Sequence, residues 1–287
     1  MRVAVVGATG VLGRQVVPLL LERGHTVSAL ARSESQAASF RRTEVRPVLG
    51  DIFRQESLEE VTKNSDVVLH LATAIPREGS AATWHDNDRI RRLGTKNLLL
   101  AAHTNQSSRY IQQSITLLYG QSDEPLNEDA ELNPAPFIQS ALDMENLVKG
   151  SKLDWCILRG GVFYGPGTGT EEGWRRAART SSLRYPGDGS GFISLVHVFD
   201  MARAVVRAAE QAAPHNIFNV VDSHPVTYRE LFGYIAAQEG ASAPEPGAPQ
   251  TLPSLACSSN RIRSELGWSP VFSTFRTGLA ASHRGLA

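Results

Sequence analysis

The sequence predicts an α/β protein in which helices wind both faces of a parallel sheet and a smaller lobe follows toward the C-terminus. Three observations predict it. Short apolar, β-branched runs alternate with helical patterns through most of the 287 residues, as in strands joined by crossover helices. Several of these runs are apolar at consecutive positions, as strands covered on both faces are. The first run leads directly into a glycine-spaced turn and then a helix.

Taken in order, strands are expected at Val3–Val6, Thr26–Leu30, Val45–Val48, Asp66–Leu71, Tyr110–Ser114, Asp154–Leu158 and Ile217–Val221. The first helix spans Val11 to Arg23 and stops at Gly24, which tolerates the left-handed C-cap conformation. Ser33-x-x-Gln36, Ser57-x-x-Glu60 and Thr227-x-x-Glu230 have the form of capping boxes that open later helices. Thr83 to Thr104 has one helical period throughout, weakened at Gly94. Arg159 to Gly169 reads as a glycine-rich loop, followed by a helical stretch around Trp174–Thr180. Residues 241–254, with Pro244, Pro246, Pro249 and Pro253, read as a further loop. Glu171, Glu172, Arg175 and Arg176 have the spacing of a solvated helix face. The expected division is a dinucleotide-binding lobe at 1–165, rejoined by the chain at about 195–222, and a substrate lobe made of 166–194 and 223–287.

Composition narrows the function. A chain of this length buries roughly three quarters of its unfolded surface and needs no disulfide or metal staple. Hydrophobic residues are 41% and charged residues 20%, an ordinary globular balance. Lys+Arg and Asp+Glu both number 29, which argues against a sequence-wide electrostatic grip on nucleic acid or anionic membrane. Cys156 and Cys257 make neither a zinc site nor a secreted disulfide framework by themselves. No paired metal spacing occurs among the 8 histidines, so no metal is expected. The leading apolar stretch is too short for a signal peptide or a spanning helix. A cytoplasmic monomer or homodimer acting on a small-molecule substrate is the expectation.

Gly7-Ala8-Thr9-Gly10-Val11-Leu12-Gly13 lies between the first strand and the first helix. The first glycine suits a tight turn, the second a close approach of backbone to pyrophosphate, and the third close packing of helix on strand. The helix N-terminus adds orphan amide donors and the positive end of its dipole. Strand, turn, helix and following strand together make this a Rossmann-type dinucleotide site. Gly7, Thr9, Gly10, Val11, Leu12 and Gly13 are its expected residues. An NAD site usually ends its second strand with an acid for the ribose 2′-hydroxyl. Here Leu30-Ala31-Arg32-Ser33 has none, and the planar donor fork of Arg32 suits a 2′-phosphate. NADP(H) is therefore expected over NAD(H).

The Gly-x-x-Gly-x-x-Gly spacing resembles the short-chain dehydrogenase/reductase superfamily, and further matches point to its extended, epimerase/dehydratase-like branch. Gly50-Asp51-Ile52 resembles the turn whose acid contacts adenine, and Val67 through Leu71, Ala72 and Thr73 the strand that runs to the nicotinamide side. Gly94-Thr95-Lys96-Asn97-Leu98 is similar to the branch's central helix, Leu158 through Gly167 to its Arg-Pro-x-x-Val-Tyr-Gly-Pro segment, and Val196 through Ala202 to its late His-Val-x-Asp-x-Ala helix start.

The resemblance implies a serine or threonine together with a Tyr-x-x-x-Lys pair, and those positions are altered. Aligned on Tyr119-Gly120, the hydroxyl position falls on Ile115, flanked by Ser114 and Thr116; Phe137 stands at the tyrosine, Ala141 at the lysine and Arg91 at the usual asparagine. Phenylalanine moves no proton, and losing one oxyanion donor alone costs on the order of 10²–10³ in rate. Tyr119 is the candidate replacement acid and Ser114 a candidate for catalysis or for contact with the nicotinamide ribose. Trp84, Phe137, Tyr164 and His197 are candidates for the substrate pocket. Three functions stay open: an NADP-dependent oxidoreductase acting on a small carbonyl or enone-like compound with a non-standard proton donor, a non-catalytic NADP(H)-binding redox sensor, and a nucleotide-sugar epimerase or dehydratase.

Overall fold

A computed structural model describes residues 1–41, 43–76, 81–248 and 252–283. The strands expected from the sequence all form, within a residue or two, and together they make a single seven-stranded sheet. They are β1 (Arg2–Val6), β2 (Thr26–Ala31), β3 (Val45–Leu49), β4 (Val67–His70), β5 (Arg109–Ile115), β6 (Asp154–Gly160) and β7 (Asn216–Val220). Their order across the sheet is 3-2-1-4-5-6-7. Val5 pairs in parallel with Ala29 on one side and Leu69 on the other, which puts β1 at the centre. The strand order reverses between β1 and β4, and at such a switch point the crevice beyond the carboxyl ends of the strands takes ligands.

The helices are α1 (Gly13–Glu22), α2 (Glu34–Ala38), α3 (Gln55–Thr62), α4 (Trp84–Arg89), α5 (Thr95–Thr104), α6 (Gln139–Lys149), α7 (Thr170–Arg179), α8 (Val198–Gln211), α9 (Tyr228–Gln238), α10 (Asn260–Leu266) and α11 (Phe275–His283). Helix α1 buries Val16, Val17 and Leu20 and ends ahead of Gly24, whose φ of +74° is left-handed as expected. Ser33 and Thr227 cap α2 and α9 by accepting from the amides of Gln36 and Glu230. Ser57 is no cap. Helix α3 begins at Gln55, and Ser57 is buried in its first turn, where a side chain on Gly50 would overlap it. The helical run from Trp84 to Thr104 is continuous, but Ile90–Gly94 forms a π-turn between α4 and α5. Gly94 is tolerated there because Ile52 fills its place: a Cβ on Gly94 would come 2.8 Å from Ile52 Cδ1.

The chain forms two compact units. One comprises 1–114, 137–158 and 202–217; the other comprises 115–136, 159–201 and 218–287. The first is organised around Val6, Leu58, Val68, Leu98, Tyr110 and Ile157, packed where the helices cover the sheet. The second has an interior built on Tyr164, Leu195, Leu231, Phe232 and Leu279. Within the second unit the glycine-rich segment is not one loop. Val162–Tyr164 is a strand paired in parallel with Leu195–His197, and Gly161 admits it because a Cβ there would lie 2.6 Å from the Ser194 carbonyl oxygen. The proline-rich stretch likewise contains a strand, Glu245–Ala248, paired with Arg184–Pro186; residues 249–251 lie outside the described ones.

The expected solvated face of α7 is corrected in part. Glu171 and Arg175 are buried, and Arg175 donates to Glu171, to Glu239 Oε1 at 2.7 Å and to the Leu279 carbonyl at 2.8 Å. The second oxygen of Glu171 takes the Gly165 amide at 3.1 Å. Burial is tolerable because both charges are paired and hydrogen-bonded. Among the described residues no helix is long and apolar enough to cross a membrane.

Candidate active site

The glycine turn carries out three separate tasks. Gly7 has φ +100°, and a Cβ on it would stand 2.6 Å from the Ala72 amide nitrogen, so this residue lets β1 leave the sheet against the exit of β4. A Cβ on Gly13 would lie 2.6 Å from Ala8 Cα, which ties α1 tightly to the turn. Gly10 differs. It is exposed, and a Cβ on it would meet only the Gly7 carbonyl oxygen, at 3.2 Å. Its surface is therefore free for a ligand. The amides of Val11, Leu12 and Gly13 have no acceptor among the described residues, so α1 presents orphan donors beside that open backbone. These features fit a dinucleotide pyrophosphate.

Arg32 follows the last residue of β2 and is exposed. Its own amide donates to Gln36 Oε1 at 2.8 Å, while its guanidinium makes no hydrogen bond among the described residues. Asp51 holds the turn after β3 by accepting from the Phe53 amide at 2.8 Å, and Ile52 is buried beside it. Beyond β4, Leu71 is buried, Ala72 half-buried and Thr73 exposed. His70 ends β4 fully enclosed. Gln112 donates to its Nδ1 at 3.1 Å, its Nε2 has no partner among the described residues, and burial lowers its pKa to about 4. It is a neutral imidazole.

Ser114, near the end of β5, is buried and donates to Glu145 Oε1 at 2.7 Å; Lys149 Nζ lies 3.2 Å from Glu145 Oε2. The hydroxyl proton is thus committed to a carboxylate on α6. Phe137 lies in the turn that leads into α6 and is 47% exposed, whereas Ala141 is fully buried. Trp84, the first residue of α4, is 50% exposed. His85 and Asp88 follow it, and Asp86 completes a capping box with Thr83.

The second unit holds Tyr119, Tyr164 and His197. Tyr119 is 3% exposed. Its hydroxyl donates to Asn219 Oδ1 at 2.8 Å and accepts from the fully buried Arg159 at 2.9 Å. Burial raises its pKa to about 12, although the Arg159 cation opposes the rise. A phenol so enclosed, with its proton already given to Asn219, has the surroundings of a packing pin. Tyr164 and His197 are buried, at 0% and 1% exposure. His197 accepts from the Phe199 amide and packs between Tyr164 and Phe272, with ring centroids 5.1 and 4.2 Å away.

The model of the NAD dependent epimerase/dehydratase family matches residues 3–220. The chain belongs to that family. Among curated relatives, a 3-diazoavenalumate denitrifying reductase of Streptomyces sp. is 33% identical, covering 97% of this chain and 99% of that protein. A 4-hydroxy-2-methyl-3-oxo-4-farnesyl-3,4-dihydroquinoline-1-oxide ketoreductase of Stigmatella aurantiaca is 27% identical, over 85% of this chain and 75% of that one. Among solved structures, the UDP-glucose 4-epimerase of Thermus thermophilus in complex with NAD superposes with a TM-score of 0.83 at 22% identity, covering 100% and 99% of the two chains; at that identity the likeness is one of fold. As an epimerase/dehydratase family member, the protein is an NAD(P)-dependent oxidoreductase of the short-chain dehydrogenase/reductase type. Sequence reasoning did not single out Glu145 or Asn219, and it met Arg159 only as part of a motif. A buried carboxylate on an amphipathic helix carries no local signature, and only the Glu145–Lys149 spacing of i,i+4 hinted at a pair.

Proposed function

We propose that this protein is an NADP(H)-dependent reductase of a small, electron-poor compound, and that it works without the tyrosine–lysine relay. The observation that carries the reading is the make-up of α6 and its entry: Phe137 offers only apolar surface and Ala141 only a methyl, at the positions where the resemblance expects the acid and its lysine. The orphan amides of α1 would hold the pyrophosphate, the open face of Gly10 would let it approach, and the free guanidinium of Arg32 would meet a 2′-phosphate. Bound there, the reduced nicotinamide supplies a hydride. Ser114 gives its proton to Glu145 and Tyr119 gives its own to Asn219, so neither is poised to protonate a nascent alkoxide.

Two substrate classes fit. A small carbonyl or enone-like compound could take its proton from water. The denitrifying reductase among the relatives favours a second class, a diazo compound. When a hydride takes the place of dinitrogen on an arenediazonium carbon, the carbon–nitrogen bond breaks, dinitrogen leaves with that bond's electron pair, and no oxygen needs a proton. A site without a phenol then loses nothing. That relative's named substrate, a 3-diazoavenalumate, is also a carboxylate.

NADPH consumption followed over a panel of quinones, enones, ketones and arenediazonium carboxylates tests the proposal. Turnover of any member supports a reductase, and one dinitrogen released per NADPH oxidised selects the diazo class. Tight NADPH binding with no turnover across the panel refutes the reductase reading.

A further inference from the structure

The first unit contains a buried arginine that the fold does not explain. Arg91 is 5% exposed and lies in the π-turn Ile90–Gly94. Among the described residues its guanidinium makes one hydrogen bond, to Ser140 Oγ on α6 at 3.2 Å, and no carboxylate lies within ion-pair distance. Asp88 acts on it only at longer range and is engaged by Arg92 at 3.8 Å. The other guanidinium nitrogens of Arg91 lack partners among the described residues, yet they are not sealed away. Arg175 shows what a structural arginine at similar burial looks like here: it is 9% exposed, with two carboxylates and a carbonyl on its guanidinium. Of its five donors Arg91 uses one among the described residues. A desolvated charge left in that state is unfavourable, and burial pulls its pKa down to about 10.

The place matters as much as the state. One turn before Arg91 on the same helical run, Asn87 accepts the Ala74 amide at 3.0 Å, so this helix is fastened to the segment leaving β4. On the other side Arg91 reaches Ser140, next to Ala141 and one turn beyond Phe137. Arg92 follows it onto α6, donating to Asp143 at 2.7 Å. Arg91 and Arg92 both reach α6 from the π-turn, and such turns recur at functional sites. A planar donor fork in this position suits a carboxylate or phenolate.

We propose that Arg91 is a substrate-binding residue that holds an oxyanion of the substrate beside α6, and that it supplies there the cation Ala141 cannot. This rests on the reductase reading, and it narrows the substrate to compounds carrying an anionic oxygen.

The test uses the full chain saturated with NADP⁺. Calorimetry measures binding of 4-hydroxycinnamate and of its methyl ester, which lacks the charge. Wild type should bind the acid at least tenfold more tightly than the ester. Arg91→Met should remove that difference by weakening the acid alone, Arg91→Lys should retain part of it, and NADP⁺ affinity should stay within twofold in both. Should Arg91→Met fail to fold, Arg91→Lys decides: an acid affinity reduced at least threefold with the ester unchanged supports the assignment, and an unchanged acid affinity overturns it. Acid binding in Arg91→Met equal to wild type, or no preference for the acid in wild type, also overturns it while leaving the cofactor reading standing. Failure of wild type to bind NADP⁺ at all overturns both.

Discussion

Adding the same methyl group at Gly10 and at Gly13 should give opposite phenotypes. At Gly13 the new Cβ would fall 2.6 Å from Ala8 Cα and closer still to the Gly7 carbonyl oxygen, both backbone atoms that cannot swing aside. Overpacking of this kind costs about 1–3 kcal/mol, and the ~1 kcal/mol by which alanine outperforms glycine in a helix offsets only part of it. For a chain of this size each kcal/mol moves Tm by about 2–4 °C, so Gly13→Ala should melt several degrees below wild type. At Gly10 the Cβ would meet only the Gly7 carbonyl oxygen, at 3.2 Å, and a shift of a few tenths of an ångström relieves that. Gly10→Ala should therefore keep its Tm within about 2 °C, yet lose at least tenfold in NADPH affinity, ~1.4 kcal/mol, because the methyl would occupy the face proposed for the pyrophosphate. Differential scanning fluorimetry of the ligand-free protein and a nicotinamide fluorescence titration read the two effects separately. Normal NADPH binding by Gly10→Ala refutes the reasoning, as does a Tm loss at Gly10 equal to that at Gly13.

Two further outcomes are expected. Wild type should bind NADPH at least tenfold more tightly than NADH, and Arg32→Asp should abolish or invert that preference by setting a carboxylate where the 2′-phosphate would sit; equal affinities in calorimetry, unmoved by the substitution, refute the assignment. Stability should peak near about pH 6.5. His70 and His197, both lowered to about 4 by burial, bind protons more readily when unfolded, so each destabilises the fold as pH falls from 6.5 through 4, by up to ~3 kcal/mol. Asp222, raised by burial to about 8, acts in the opposite sense and removes stability as pH rises from its unfolded value through 8. Urea titrations across pH should show both limbs, and Asp222→Asn should flatten the alkaline one and steepen the acid one; an alkaline limb unchanged in that variant refutes its origin.

The sheet was legible because parallel strands buried on both faces have to be apolar without interruption, and Val67–Leu69 or Val3–Val6 can be little else. Errors arose where one residue serves two kinds of geometry. Ser57 has the type and spacing of a cap, but the chain turns at Asp51 and the helix starts earlier, leaving Ser57 as a small side chain packed against Gly50. Glycines at 160 and 161 suggested a loop, yet the structure uses Gly161 to bring one strand against the Ser194 carbonyl. Glycine reports close approach as readily as it reports a turn. Arg175 and Glu171 show the same ambiguity for charge: an i,i+4 pair reads as solvated surface, and nothing in the sequence shows that Glu239 and a carbonyl of a distant helix complete it in the interior.

For the site, what could be read depended on whether the backbone left a residue any choice. The alignment that puts Ile115 at the hydroxyl position leans on Tyr119-Gly120. That anchor is geometric: Gly120 has φ +82°, and a Cβ on it would lie 2.7 Å from the Asn133 carbonyl oxygen. Tyr119 is fixed beside it by Asn219 and Arg159. An anchor that the fold cannot exchange is what lets Ile115, Phe137 and Ala141 be read against the resemblance in a bare sequence. Arg91 stood out for the same reason, as a cation at a position where an asparagine was expected. Its consequence did not, because a sequence shows that a charge is present and never that its partners are missing. Only a buried guanidinium with a single bond among the described residues, to Ser140, turns a substitution into a binding hypothesis. If position 91 had no task of its own, an uncharged residue there would have filled the space with less penalty; a buried cation with one hydrogen bond among the described residues supports the proposal that the site answers to an anion.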